Sequence, residues 1–239
     1  MPNPKGKPIM FLDSCIKDTK RADKIYVKFP FLKKDYALLK NLPVNGILLD
    51  IGSGDGRYLK RASLIRPDLK LYAIDIDIYL ERITPQDLDS FIIADCTNHL
   101  PLKDESIDFV HCSSVIEHIL QVSIIFKEIF RVLKKKGYAY IEAPEAKKVL
   151  IPSFGVVGTL NFYDDPTHIR PYTKESLRRL GLEAGFEEKN IKVFFDYNMF
   201  NLLSLPYTLF KSLTTWHNVY LDIVLQAFLP LNVGGIFIK

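Results

Sequence analysis

Apolar residues follow two rhythms along this chain. Residues 44–51 (VNGILLDI), 70–75 (KLYAID), 90–95 (SFIIAD), 106–114 (SIDFVHCSS) and 138–143 (YAYIEA) are short greasy runs. Their length and branched content predict strands buried on both faces. Between them, 56–66 predicts a helix stopped by Pro67, and about 117–135 predicts a longer one. In the longer one Ile119, Val122, Phe126, Ile129 and Leu133 recur at spacings of three and four, giving one apolar face. Lys134, Lys135 and Lys136 then complement the negative end of its dipole, and Gly137 serves as its C-terminal cap. Strands alternating with helices predict an α/β fold, a mostly parallel sheet with helices on both faces.

The rhythm changes after residue 143. Residues 144–172 hold Pro144, Pro152, Gly155, Gly158, Pro166 and Pro171, which predicts a long loop of the kind that carries function. Residues 173–184 predict a helix opened by Thr173 and closed by Gly185. Residues 190–197 and 234–239 predict two late strands. The apolar, aromatic stretch 199–231 is interrupted by Pro206, Lys211, His217 and Asp222. It reads as a helical insertion packed on the domain, with a membrane-surface or partner-facing helix pair as the alternative. The chain thus divides into an N-terminal helical or cap segment, 1–43, and one domain over 44–239.

Composition narrows the class. With 239 residues, 48% hydrophobic and 25% charged, the chain suits one large globular domain. A net charge of +4, from 32 basic and 28 acidic residues, is too balanced to point to a nucleic-acid partner. Cys15, Cys96 and Cys112 form no C-x-x-C pair, which argues against a disulfide framework or zinc knuckle and fits a reducing cytoplasm. The N-terminus shows no signal-peptide h-region, and no apolar run reaches the roughly 20 residues of a membrane span.

The chemistry gathers at the strand ends. Asp50, Asp75 and Asp95 each close a greasy strand, and Glu142 lies near the end of a fourth. Ligands of parallel sheets bind outside those ends. After Asp50 comes Gly52-Ser53-Gly54-Asp55-Gly56. This is G-x-G-x-G, not the G-x-G-x-x-G of dinucleotide sites, which counts against an NAD(P)-dependent oxidoreductase. The acids suit S-adenosylmethionine (SAM). Asp50 can face its ammonium, Asp75 its two ribose hydroxyls and Asp95 its adenine amino group.

The stretches LLDIGSGDGRYL, LYAIDID, IIADCTNHLPLKDESIDFVHCSSVIEHI, IFKEIFRVLKKKGYAYIEAPE and THIRPYTKESLRRLGLEAGFE resemble class I SAM-dependent methyltransferases. They are similar to the broad type 11, ubiquinone-biosynthesis-like subgroup. The resemblance spans residues 47–188 and implies a Rossmann-like seven-stranded sheet whose last strand is antiparallel, with the two late strands as six and seven. It implies that Asp50 and the Gly52, Ser53, Gly54 and Gly56 turn line the methionine part of SAM. Asp75 then holds the ribose, Ile76 lies beside the adenine, and Asp95 and the Cys96 backbone read the adenine edge. Ser113 and Ser114 lie near the sulfonium.

Methyl transfer to a hydroxyl benefits from a general base, and the candidates are Glu117, His118 and His168. In some relatives a similar E-x-x-E-H segment holds a divalent metal. Ser114 stands at the first Glu position here, so no metal is assigned. The segment DPTHIRPYT is similar to enzymes that modify cell-surface sugars, which implies O-methylation of a small-molecule, glycan or lipid-linked hydroxyl. Peripheral membrane contact through 199–231 suits a lipid-linked acceptor. The alternative is a SAM-binding protein with no activity.

Overall fold

The computed structural model describes residues 23–77, 79–150, 161–196, 205–206, 210 and 231–239. Seven strands form one sheet: β1 (Ile47–Ile51), β2 (Lys70–Asp75), β3 (Ser90–Ile93), β4 (Ile107–Ser113), β5 (Leu133–Pro144), β6 (Ile191–Asp196) and β7 (Asn232–Ile238). Their order is β3-β2-β1-β4-β5-β7-β6. β1 to β5 pair in parallel, while β7 runs antiparallel to both β5 and β6. The expected mostly parallel α/β sheet and its antiparallel last strand are both present. The order reverses between β1 and β4, so the crevice outside their carboxyl ends is the natural ligand position.

Alternation along each strand sorts side chains to two faces. Leu49, Ile51, Val110, Cys112, Ala139 and Ile141 join one core with α3 (Val122–Val132) and α4 (Lys174–Ala184). Leu48, Ala73, Phe109 and Tyr140 join a second core with α2 (Arg57–Ile65) and the N-terminal segment containing α1 (Lys34–Leu38). α3 forms because Ile125, Phe126, Ile129 and Val132 make one stripe, fully buried on the sheet. Each of these side chains contributes roughly 1.5–3 kcal/mol by leaving water. α4 starts and stops where its sequence says. Thr173 Oγ1 accepts from Ser176 N at 3.1 Å, and Gly185, at φ 111°, ends the helix in the left-handed conformation.

The expected helix over 117–135 requires correction. Ile116–His118 is a separate 3₁₀ turn, α3 runs only from Val122 to Val132, and β5 begins at Leu133. Leu133 is in phase with the helix but pairs with Ile107 across an irregularity in the ladder. Its burial is satisfied equally by a strand, so periodicity alone extends the helix too far. Gly137 lies within β5 and caps nothing; a Cβ there would sit 2.9 Å from the Lys134 carbonyl oxygen. Lys134 pairs with Asp108 at 2.8 Å and so is engaged across the sheet end.

Residues 23–28 are helical, and Tyr26, Leu32, Tyr36 and Leu39 are buried in the second core. Residues 1–22, with Cys15, lie outside the described residues, as does the 199–231 stretch except for 205–206, 210 and 231. Among the described residues no helix is long and apolar enough to cross a membrane.

Candidate functional site

The glycine turn is shaped by close approach. Between β1 and α2 the backbone takes φ of 69° at Gly52 and 51° at Gly54. A Cβ on Gly52 would lie 2.3 Å from Val115 Cγ2, so packing alone demands glycine there. A Cβ on Gly54 would meet nothing within 4 Å, which marks the open side of the turn. Ser53 is buried, and among the described residues its hydroxyl has no hydrogen-bond partner.

Asp75 ends β2 against this turn. Its Oδ2 accepts from Gly54 N at 2.7 Å and its Oδ1 from Ile76 N at 2.8 Å. Two backbone donors fix the carboxylate and leave its outer lone pairs for a ligand. Ile76 is 67% exposed and Ile93, the ladder partner of Asp75, is 57% exposed. They form an apolar shelf at the carboxyl ends of β2 and β3. Asp95 lies just past β3, where its Oδ1 accepts from Thr97 N at 2.8 Å and Thr97 Oγ1 at 2.7 Å. The Thr97 hydroxyl and amide hold its carboxyl below the usual range. Burial pushes the Cys96 thiol up to about 11, so it is neutral.

Asp50 is 2% exposed, on the face of the second core. Its Oδ1 lies 2.7 Å from His111 Nδ1, and the register places the two residues side by side on β1 and β4. The His111 ring lies parallel to Tyr58 at 3.5 Å and to Tyr140 at 5.8 Å. Beyond it, Asp35 Oδ2 is 3.7 Å from His111 Nε2 and 3.2 Å from Lys33 Nζ. Lys33 also reaches Glu142 at 3.6 Å. Burial opposes a charge on His111, but Asp50 and Asp35 outweigh it and raise the imidazole to about 9. Burial likewise opposes the Asp35 charge, but Lys33 and His111 bring its carboxyl down to about 2. Sequence reasoning missed His111, Asp35 and Lys33. The available signal was a polar His on the same strand face as the aromatic Phe109.

A second group follows β4, with Ser113 at the strand's end. Ser114, at φ 57°, donates its N–H to the Glu142 carbonyl, turning the chain outward. The 3₁₀ turn is then laced to the 161–172 loop. Tyr172 donates its hydroxyl to Ile116 O at 3.0 Å, and Ile169 N donates to Glu117 O at 2.8 Å. This brings the His118 and His168 rings to 4.9 Å. His168 Nδ1 is 2.6 Å from Phe162 O. His118 Nδ1 is 3.3 Å from Thr167 O and 2.9 Å from Thr167 Oγ1, a hydroxyl that itself donates to Asp165. Carbonyls only accept, so both rings carry hydrogen on Nδ1, and Nε2 of His168 faces Asp165 Oδ2 at 3.8 Å. Glu117 is buried, and among the described residues neither carboxylate oxygen is hydrogen-bonded. Burial pushes its carboxyl up to about 8.

The structure therefore gathers Asp50, Gly52, Ser53, Gly54, Gly56, Asp75, Ile76, Asp95, Cys96 and Ser113 along one sheet edge. It gathers Glu117, His118 and His168 into a second cluster, joined to the first by Val115 packed on Gly52. Ligand atoms of those three residues all lie within 4.8 Å of one another, an arrangement able to hold a cation.

A family model for the methyltransferase domain matches residues 27–190. The chain is 28% identical over 179 residues to a malonyl-[acyl-carrier protein] O-methyltransferase of Marinomonas sp. (strain MWYL1), a match covering 66% of this chain and 62% of that protein. It therefore spans less than two thirds of that relative's length. A SAM-dependent methyltransferase from Archaeoglobus fulgidus superposes with a TM-score of 0.57 at 18% identity, covering 92% of this chain and 94% of that one. A Haemonchus contortus phosphoethanolamine N-methyltransferase 2, solved with SAM, gives 0.61 at 18% identity over 85% of this chain and 51% of that one. At such identities these two show the fold. The family match, over most of the described sheet and both residue groups, shows more: the chain belongs to the methyltransferase-domain family.

Proposed function

We propose that this enzyme moves the SAM methyl group to a hydroxyl oxygen of a small-molecule, glycan or lipid-linked acceptor. The observation that carries this is the convergence of Glu117, His118 and His168, whose side-chain ligand atoms lie within 4.8 Å of one another, with the Asp165 carboxylate 3.8 Å from His168 Nε2. An amine attacks through its own lone pair, whereas a hydroxyl gains from a nearby proton acceptor. The Marinomonas relative is named an O-methyltransferase, which agrees with an oxygen nucleophile.

In this reading the cofactor lies along the sheet edge. The ammonium meets Asp50, the methionine chain follows Gly52, Gly54 and Gly56, and the free Ser53 hydroxyl faces it. Asp75 accepts from the ribose hydroxyls. The adenine rests on Ile76, with Asp95 and the Cys96 backbone at its edge. Ser113 then stands near the sulfonium, whose methyl points toward the second cluster. His168 Nε2 takes the acceptor proton as the oxygen attacks the methyl carbon and the sulfonium leaves as neutral thioether. Orientation supplies most of the rate, because the leaving group is already activated.

Transfer of labelled methyl from SAM to hydroxyl-bearing and amine-bearing acceptor panels tests this. Label in a base-stable methyl ether of a hydroxyl acceptor is expected. Label found only on amines would overturn the oxygen assignment.

A further inference from the structure

We propose that His111 is a positioning residue for the cofactor, holding Asp50 from within the sheet so that its outer oxygen meets the SAM ammonium. This rests on the assignment of Asp50 to the ammonium. Asp50 stands two residues before Gly52, at the carboxyl end of β1, where a small tilt of its side chain changes what the turn presents. Its Oδ1 accepts the His111 Nδ1 hydrogen at 2.7 Å. One oxygen thus fixed leaves Oδ2 to a ligand.

The ring has no freedom to swing away. Tyr58 lies against the ring at 3.5 Å with a 5° tilt, and Tyr140 lies parallel to it at 5.8 Å and 3°. Tyr36 continues the stack on Tyr58 at 5.1 Å. Beside this stack His111 Nε2 and Asp35 Oδ2 are buried, make no hydrogen bond among the described residues and face each other at 3.7 Å, with Lys33 Nζ 3.2 Å from the same Asp35 oxygen. Two buried polar atoms so placed are costly as neutral groups and favourable as an ion pair. The array ends at Asp50, the member that adjoins the glycine turn, and a ligand ammonium there would meet its second carboxylate oxygen.

Three substitutions separate positioning from simple structural support. Asn places its amide nitrogen two bonds from Cβ, where His111 has Nδ1, and so keeps the donor to Asp50. Gln places its nitrogen where Nε2 is and keeps only the Asp35 side. Phe fills the stack and keeps neither. S-adenosylhomocysteine (SAH) binding is measured by calorimetry, with turnover at saturating SAM and thermal unfolding alongside. His111→Phe and His111→Gln are each expected to weaken SAH at least tenfold, while His111→Asn stays within about threefold of wild type. Turnover at saturating SAM is expected within twofold for all three.

Equal SAH affinity in the Asn and Gln variants, or a wild-type affinity in a folded Phe variant, would overturn the proposal. Asp50→Asn is the control for the underlying assignment. If it leaves SAH binding unchanged, the ammonium contact itself is wrong. If it weakens SAH while His111→Phe does not, only the role of His111 fails. The unsubstituted protein gives an independent readout. In ¹⁵N-histidine spectra the Nδ1 proton bonded to Asp50 is expected to shift on SAH addition, and a signal unmoved at saturation overturns the proposal even where the variants do not fold.

Discussion

Replacing Asp75 by Ala is the sharpest test of how the cofactor is held. In the structure both carboxylate oxygens are already aimed by backbone donors, Gly54 N at 2.7 Å and Ile76 N at 2.8 Å. The ribose offers two more donors to the outer lone pairs. Hydrogen bonds to a charged group contribute about 1.5–3 kcal/mol each, so two set a gross range of about 3–6 kcal/mol. Water competes for the same carboxylate in the empty site, which favours the low end. About 3 kcal/mol corresponds to roughly 150-fold weaker binding. Asp95→Ala is the internal comparison. Its Oδ1 is spent on Thr97, leaving one oxygen for the adenine amino group and a loss of about tenfold, or 1.4 kcal/mol. Asp75→Asn keeps one acceptor and belongs between the two. The assay is calorimetric titration with SAH, with melting temperature confirming the fold. An Asp75→Ala protein that melts like wild type and binds SAH within threefold would refute the ribose assignment.

Three further outcomes follow from the second cluster and the buried array. His168→Ala is expected to lower turnover at least about 100-fold, as loss of a general base does, while SAM affinity changes under threefold; equal losses in both would move His168 out of the acceptor site. Exhaustive chelation is expected to leave the rate within twofold, since His168 takes the proton unaided. A rate lost to EDTA and restored by zinc or manganese, with metal found in the purified protein, would instead make Glu117, His118 and His168 a metal site. His111 sets an alkaline limit on stability. Asp50 of β1, Asp35 and Lys33 of the N-terminal segment, Glu142 and Tyr140 of β5 and Tyr58 of α2 surround it, and its folded value of about 9 exceeds the ordinary 6.5. The stability it adds is complete below pH 6.5 and fades as pH rises through 9, in total on the order of 3 kcal/mol. Chemical denaturation between pH 6 and 10 is expected to show this loss, and a His111→Asn protein with the same slope would contradict it.

The cofactor half of the site was legible in the sequence because it is local. Each acid closes a strand, the glycines follow one of them, and a parallel sheet brings strand ends together without knowledge of any other contact. The acceptor half was legible only as residue types. Glu117 and His118 were expected at the start of a helix, and they lie instead on a 3₁₀ turn ahead of it. Their approach to His168 depends on the loop hydrogen bonds from Ile169 and Tyr172, partners 52 and 56 residues away, from Ile169 N to Glu117 O and from Tyr172 to Ile116 O. No periodicity encodes such pairings. The Asp35–His111–Asp50 array was illegible for the same reason. Asp35 reaches the sheet from a segment that the pattern marks only as helical.

The two halves also differ in what supports them, and this bears on how the enzyme changes substrate without losing its cofactor. The sheet-edge acids are held close to their own strands: Asp50 by His111 of β4, Asp75 by Gly54 and Ile76, and Asp95 by Thr97. The second cluster hangs on the outward turn at Ser114 and on the 161–172 loop, joined to that turn by one backbone bond, Ile169 N to Glu117 O, and by side-chain bonds of His118, Thr167, Arg170 and Tyr172. The side chains of Tyr163 and Ile169 make none of these bonds. A changed loop residue at 163 or 169 therefore alters the acceptor's surroundings while Asp75 and Asp50 keep their partners. Val115 is the exception. Its side chain fills the space that a Cβ on Gly52 would take, so a change there presses directly on the cofactor's wall. A larger residue at 115 is expected to weaken SAH and slow turnover together, whereas Tyr163→Ala, at an exposed loop position, is expected to change acceptor KM alone. Paired measurements of SAH affinity and acceptor kinetics in these two variants test the division, and coupled losses at Tyr163 would show that the halves are not independent.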